Sequence, residues 1–483
     1  MTFISLKFYA FLIVVIAAYY VIPIKYRWYS LLAGSMAFYW YVTNQSVVAF
    51  TVLVGLAFVS WFFGKYLAEQ NERNKAIFAV VAIGLVAIPL LLLKGSQLLL
   101  HFFPGVSTPG WWIAPVGLSF YTLQLVSYCV DVYKGKIEPE KNFLKFLLFA
   151  SYFPQIIQGP IPRYSQLENQ LIEGHKFDDR KFVKGFMLIL WAFFLKMCIA
   201  DKAAIVVNTI FSNYQVYGGL YALVGGILYS FQLYADFLSC TSFAQGFSNL
   251  LGIDLVDNFS RPYFANSIKD FWRRWHISLS SWLRDYVYIP LGGNRKGQYR
   301  KYLNIIIVFA ISGFWHGDGI KFIFWGVLHG VYQVAGELLL PVRRRINELM
   351  GINADSSIGN GIKAVGTFFL VMLGWIIFRA DSLSVGLSMI KSIFSVHNIW
   401  ILTGTYLFEL GLGWKEFFIL ILCLIVLLSV SIAQELGIVI RDRILEHNIV
   451  VRWTIYIITI VFIMLFGTYG WGYDSQAFIY GGF

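Results

Sequence analysis

Runs of about 17–25 apolar residues are long enough to carry a helix across a bilayer. They recur along this chain at 4–24, 30–64, 76–93, 112–131, 183–200, 216–236, 302–316, 320–340, 361–379, 413–434 and 450–468. The pattern predicts roughly eleven transmembrane helices. The 30–64 run reads as one long span or as two short ones broken near 43–46. At the start, Lys7 sits inside the apolar stretch, and the hydrophobicity continues from Phe8 to Ile24 without a small-residue cleavage site. That reads as a first span that is retained, not a cleaved signal. No internal repeat is visible, which argues against a transporter built from two inverted halves.

Two stretches interrupt the pattern. KFLLFASYFPQIIQGPIPRYSQL (145–167) is apolar but carries Pro154, Pro160 and Pro162 with Gly159. Prolines break helices and free backbone carbonyls, and non-helical backbone at membrane depth survives only against protein or water. A re-entrant or interfacial loop is predicted there. The second stretch, 266–288, is too polar to span. Over 271–288 its spacing puts Phe271, Trp275, Leu279, Trp282 and Tyr286 on one helical stripe, with Arg273, Arg274 and Ser280 elsewhere. This predicts one amphipathic helix in the headgroup zone or across the mouth of a cavity, followed by a basic loop at 292–301.

Composition agrees with a membrane class. The chain is 58% hydrophobic and 13% charged, against about 25% charged in a soluble domain. Its many aromatic residues suit helix ends at the membrane interface. No long polar segment offers a second, water-soluble domain, so residues 1–483 read as a single all-α polytopic membrane domain. The formal charge of +12 is spread over short loops such as 176–184, 295–301 and 343–345. Basic loops beside spans are topology signals and contacts for anionic lipid headgroups; nucleic acid is not expected as a partner. The four cysteines lie in or beside apolar runs without metal-ligand spacing, which fits packing residues better than disulfides.

Against this background, 271–330 concentrates polar residues where lipid discourages them. FWRRWHISLSSWLRDYVYIPLGGNRKG (271–297) is followed, after one apolar run, by SGFWHGDGIKFIFWGVLHG (312–330). A charge in hydrocarbon costs about 2.5–3.5 kcal/mol on insertion scales, so these groups need a water-filled cavity or an interface. His316 stands between Trp315 and Gly317, where glycines on both sides allow the helix to break and aim the imidazole into a cavity. A neutral histidine can take a proton from an alcohol near neutral pH; a structural histidine bonded to a backbone carbonyl is the equal alternative. His329 reads better as a bridge between helices. His276 orients a partner group, binds a phosphate-bearing donor, or simply sits at the interface on an amphipathic helix. Arg273, Arg274 and Arg284 have Asp270 and Asp285 nearby, and Asn294 precedes Arg295 and Lys296. Ion pairing competes there with a role in holding a phosphate or carboxylate of a donor. Asp236, at the end of an apolar run, is either a functional buried carboxylate or the partner of a nearby arginine. The spacings of 40 and 13 between the three histidines do not suggest a metal site.

These residues carry a resemblance. The RWH–RDYVYIPLGGN block followed by GFWHG and WGVLHG is similar to the membrane-bound O-acyltransferase superfamily, in the bacterial branch that modifies alginate and teichoic acid. Further matches are PVGLSFYTLQLVSYCVDVYKG (115–135), FPQIIQGPIPRY (153–164), YADF (234–237), GWIIFRAD (374–381) and FGTYG (466–470), so the likeness covers nearly the whole chain. The chain departs from the family pattern in Leu238-Ser239-Cys240-Thr241-Ser242 and in its end, FIYGGF (478–483).

The resemblance implies a ring of tilted helices around a through-membrane tunnel, with an active-site core at about 112–340. It gives His316 the catalytic role, with His276 beside it; taken together with the reading of the residues above, Arg273, Arg274, Arg284, Asp285, Asn294 and Trp315 are expected at the acyl donor. The donor would be acetyl-CoA or another acyl thioester, with no tightly bound cofactor and no metal. The expected function is transfer of an acyl group, acetyl by preference, towards hydroxyls of an exported polysaccharide. Transfer would be direct or through an extracytoplasmic partner protein, at the bacterial cytoplasmic (inner) membrane. D-alanyl transfer to teichoic acid is the rival within the class, and a transporter or flippase without chemistry is the rival outside it.

Overall fold

The computed structural model describes residues 3–102, 115–317, 319–349, 353 and 356–469. The motif end at Gly470 and the terminal FIYGGF lie outside the described residues, as does Asp318. Among the described residues the regular structure is helical, apart from one isolated bridge between Phe259 and Trp275. Seven helices among the described residues are long and apolar enough to cross a membrane: Val47–Leu67, Asn74–Ser96, Asp179–Ser212, Leu220–Leu250, Ser357–Arg379, Trp414–Glu435 and Ile449–Phe466. The pair Ile320–Leu338 and Leu340–Leu349, bent by 51°, passes the same test as one broken span. Ile449–Phe466 buries only 11% of its residues and leaves Ile457, Ile458, Val461, Met464 and Leu465 exposed. Such a face is costly in water and natural against lipid tails. The protein is therefore an all-α polytopic membrane protein.

The chain divides into two compact units. Among the described residues, one comprises those up to Ile189 together with Cys240–Asp257; the other comprises Leu190–Ser239 and those from Asn258 onward.

In the first unit the 30–64 run resolves into two helices, Arg27–Val42 and Val47–Glu69. Asn44 and Gln45 take left-handed backbone (φ 50° and 61°), and the Ser46 side chain caps the second helix at Ala49 N. The proline-rich stretch is non-helical, as its sequence predicts. A short helix, Phe143–Ser151, stops before Pro154, and the next, Tyr164–Ile172, starts after Pro162. Backbone released between them is paid back by side chains: Gln124 and Gln155 both donate to the Phe149 carbonyl, at 2.8 and 3.2 Å, and Phe153 N donates to Ser35 Oγ at 3.2 Å.

In the second unit the long helix Asp179–Ser212 contains a π-helical turn, Phe194–Ala200. Such turns add a residue to the helix and rotate side chains out of register. This one carries Lys196, whose ammonium is buried between Asp236 (2.7 Å) and Asp201 (2.9 Å). Asp236 thus pairs with a lysine of another helix, a partner the sequence did not suggest. The helices Gln298–His316 and Ile320–Leu338 form a tight hairpin. Gly313 and Gly326 make it possible, because an added Cβ on Gly313 would overlap the Phe322 carbonyl and one on Gly326 the Phe309 carbonyl.

The single amphipathic helix expected over 271–288 is not what forms. Two short helices, Ile268–Arg274 and Ile277–Leu283, are separated at Trp275 and His276, and a π turn, Arg284–Tyr288, follows. The reason is a local pairing the periodicity does not reveal. Ser260 N donates to Arg274 O and Ile277 N to Asn258 O, each at 2.9 Å. These bonds tie 274–277 to 258–260; Trp275 is extended and His276 turns left-handed (φ 46°, ψ 54°). Phe271, Trp275, Leu279 and Trp282 are still buried, but as parts of two helices and a pivot.

Candidate active site

His276 and His316 are both buried, 1% and 2% exposed. His316 is the last residue of Gln298–His316, and the helix stops there because Gly317 adopts extended backbone. His276 is held by its pivot at the start of Ile277–Leu283. A left-handed conformation disfavours a residue with a side chain by about 1–2 kcal/mol, so the surrounding bonds must impose it. The result is that the two imidazole centroids lie 6.4 Å apart. That is too far for a direct hydrogen bond between the rings.

Aromatic side chains enclose the pair. Trp315 lies 4.9 Å from the His316 ring and 6.0 Å from that of His276, between centroids. Trp325 meets the His316 ring edge-on at 5.2 Å, and Phe378 lies 5.8 Å away. Phe237 stands perpendicular to His276 at 4.8 Å. Behind Trp325, Trp375 stacks at 5.5 Å. Such walls exclude water and lower the local dielectric, which strengthens every polar interaction inside them. The Trp325 Nε1–H is buried and has no hydrogen-bond partner among the described residues, although buried indoles ordinarily find one.

Hydrogen bonds fix the protonation of His276. Its Nδ1 lies 3.3 Å from Asn258 Oδ1, and the same oxygen accepts from Ser278 N (3.1 Å) and Ser278 Oγ (2.8 Å). The backbone N–H is an unambiguous donor, so the Asn258 atom is an acceptor and the imidazole donates to it. His276 Nε2 is buried without a partner among the described residues. Burial pulls the pKa of His276 down to about 3, because a charged imidazolium loses its hydration there.

The other expected site residues are placed differently. Arg274 is bound by two carboxylates, Asp270 at 3.0 Å and Glu435 at 3.1 Å, which already match its charge. Arg284 is exposed and pairs with Asp285 at 2.8 Å. Arg273 is exposed and makes no ion pair among the described residues. Asn294 is exposed on its loop; the loop is anchored by buried Asn304, which donates to Gly293 O at 2.9 Å and Leu291 O at 3.3 Å. Structure thus brings together His276, His316 and Trp315, while the cations stay in ion pairs or in solvent. His329 accepts from Trp272 Nε1 through its Nδ1 at 3.3 Å. A Cβ on Gly374 would come within 2.6 Å of its Nε2. The packing of His329 is that of a bridge between helices.

Sequence reasoning missed Asn258, Trp325, Trp375 and Phe378. The last two lie inside GWIIFRAD, so the motif was visible but the wall it builds was not. Asn258 has no such signal, since its bonds arise from a chain reversal.

Comparison with known proteins fits this arrangement. The family model described as "MBOAT, membrane-bound O-acyltransferase family" matches residues 140–379, which include both histidines. The protein named "Probable alginate O-acetylase" of Pseudomonas fluorescens is 34% identical over 389 residues, covering 80% of this chain and 74% of that relative. The chain belongs to the membrane-bound O-acyltransferase family. The peptidoglycan O-acetyltransferase of Helicobacter pylori is 34% identical over 59% of this chain and 58% of its own length. The teichoic acid D-alanyltransferase of Bacillus subtilis is 29% identical over 55% of this chain and 69% of its own. The protein is thus a polytopic membrane acyltransferase, and these relatives are named for alginate, peptidoglycan and teichoic acid.

Proposed function

We propose that the protein moves an acetyl group from a cytoplasmic thioester, acetyl-CoA or another acyl thioester, to hydroxyls of an exported cell-surface polysaccharide, directly or through an extracytoplasmic partner protein. It would work in the bacterial cytoplasmic membrane. One observation carries this reading: two buried histidines with separated rings, walled by aromatic side chains, in a chain otherwise built for lipid. The higher identity and longer coverage of the alginate relatives favour acetyl over D-alanyl transfer.

In this mechanism His316 takes the proton of the accepting hydroxyl as its oxygen attacks the thioester carbonyl. The carbon–sulfur bond breaks, and the leaving thiolate takes that proton back from His316. Developing negative charge on the carbonyl oxygen is met by N–H donors fixed in the chamber, for which the Trp325 indole is the candidate. Arg273, the exposed cation without an ion pair, is the residue best suited to a phosphate of the donor; Arg274 and Arg284 stiffen the surrounding segment through their carboxylates. Trp315 packs against both imidazoles.

The test is acyl transfer by purified protein in lipid, offered radiolabelled acetyl-CoA or a D-alanyl carrier protein. Transfer from acetyl-CoA supports the reading. Transfer from the alanyl carrier alone would replace it with D-alanylation, and movement of substrate without acyl loss would make the protein a transporter.

A further inference from the structure

The bonds around Asn258 assign His276 a role different from charge stabilisation. We propose that Asn258 is a positioning residue that locks His276 as the Nδ1–H tautomer, so that its bare Nε2 lone pair serves as the hydrogen-bond acceptor for a hydroxyl of the incoming acceptor other than the one whose proton goes to His316. This rests on the acyl-transfer reading given above.

The argument is one of donor and acceptor bookkeeping. Asn258 Oδ1 is committed as an acceptor by Ser278 N and Ser278 Oγ. A third group that approaches the same oxygen, His276 Nδ1 at 3.3 Å, must bring a hydrogen. A neutral imidazole has one N–H, so its Nε2 has none. Nε2 then cannot donate to an oxyanion; it can only accept. His276 is therefore matched to a donor hydrogen of the acceptor that stays in place, not to the negative charge that forms during transfer. Asn258 and His276 are fixed relative to one another twice over, since Asn258 O also accepts from Ile277 N and Phe259 is bridged to Trp275. The side chain sets the tautomer while the backbone sets the place of the ring. Nε2 has no hydrogen-bond partner among the described residues, and Phe237 and Trp315 offer the ring aromatic faces and edges.

Histidine-labelled protein in lipid tests this by ¹⁵N solid-state NMR, with His276 assigned by difference from His276→Gln. The wild type is expected to show Nδ1 protonated and Nε2 bare. Asn258→Ala is expected to lose that preference and to lower kcat at least about tenfold, with KM for acetyl-CoA nearly unchanged. Asn258→Asp keeps an acceptor for Nδ1–H and for Ser278, so it is expected to restore the tautomer and much of the rate, and it guards against misreading a folding failure of the alanine variant. A protonated Nε2 in the wild type, or an alanine variant with unchanged tautomer and rate, would overturn the assignment. The spectrum needs no acyl donor. Failure of the acyl-transfer reading would appear in the wild-type assay, and failure of the Asn258 assignment in the spectrum.

Discussion

The imidazole rings of His276 and His316 are 6.4 Å apart between centroids and inclined at 61°. They reach that spacing from elements of opposite character: a regular helix that ends at His316 and a left-handed pivot at His276. Neither ring satisfies the other, so both are left to act on an incoming group. Four expectations follow from how the pair is built, and each is open to a direct measurement.

His276 makes stability depend on pH with a definite sign. Its folded pKa, about 3, lies below the ordinary value of 6.5. The unfolded chain therefore binds the proton first as pH falls, and the folded state loses stability from about pH 6.5 down to about pH 3. At pH 5 the loss is on the order of 2 kcal/mol. Thermal unfolding in detergent should show a steeper acid decline for the wild type than for His276→Gln. Equal declines would mean that His276 is not a buried neutral imidazole.

Lys196 is the most exposed to single-site damage. Its ammonium, 1% exposed, is matched by Asp236 and Asp201. Removing the lysine leaves two carboxylates facing one another without a cation, which typically costs about 3–5 kcal/mol for a broken buried pair. Lys196→Met is expected to lower the melting temperature and membrane yield sharply, and adding Asp236→Asn is expected to recover part of the loss. An unchanged melting temperature for Lys196→Met would contradict the pairing.

The helical hairpin below His316 rests on close backbone contact at two glycines. Gly313→Ala and Gly326→Ala each push a Cβ into a carbonyl of the facing helix, and overpacking of this kind costs about 1–3 kcal/mol or more. Both should lose acyl transfer as well as stability, because Gly313 is three residues from His316. Gly336→Ala, on the same helix with open space around it, is the control, expected to be neutral or stabilising by up to about 1 kcal/mol. Equal tolerance at all three positions, read by thermal stability and turnover, would show that the hairpin is looser than its geometry.

His329 separates structural histidines from reacting ones. Trp272→Phe removes its N–H···Nδ1 bond and keeps the ring, which should cost about 1 kcal/mol of stability. Turnover in surviving protein is expected to stay within about twofold, since uniform packing loss does not act on the transition state. A large fall in kcat at normal stability would move His329 into the reaction.

Much of this was legible in the chain. Span-length apolar runs gave the helices, and the break at 43–46 falls where Asn44 and Gln45 turn left-handed. Proline spacing located the non-helical stretch before Tyr164. The WHG and RWH motifs singled out the two histidines that the fold brings together. What stayed hidden depends on contacts distant in sequence. A 3.6-residue stripe through Phe271, Trp275 and Leu279 looks continuous, yet the pairing of 258–260 with 274–277 snaps it at His276. The charge of the arginines is visible in sequence but their ion pairs are not: the carboxylate that pairs with Arg274, Glu435, lies 161 residues away. Lys196 drew no notice in its apolar run, since only the π turn and the opposing helix explain a buried ammonium there.

The central claim is that His316 carries acyl transfer. Mass spectrometry of cell-surface glycans from strains producing the wild type or His316→Ala, at matched membrane protein levels, tests it most directly. The account expects O-acetyl groups on the polymer in the wild-type strain and their loss in the variant. Wild-type acetylation by His316→Ala would contradict it.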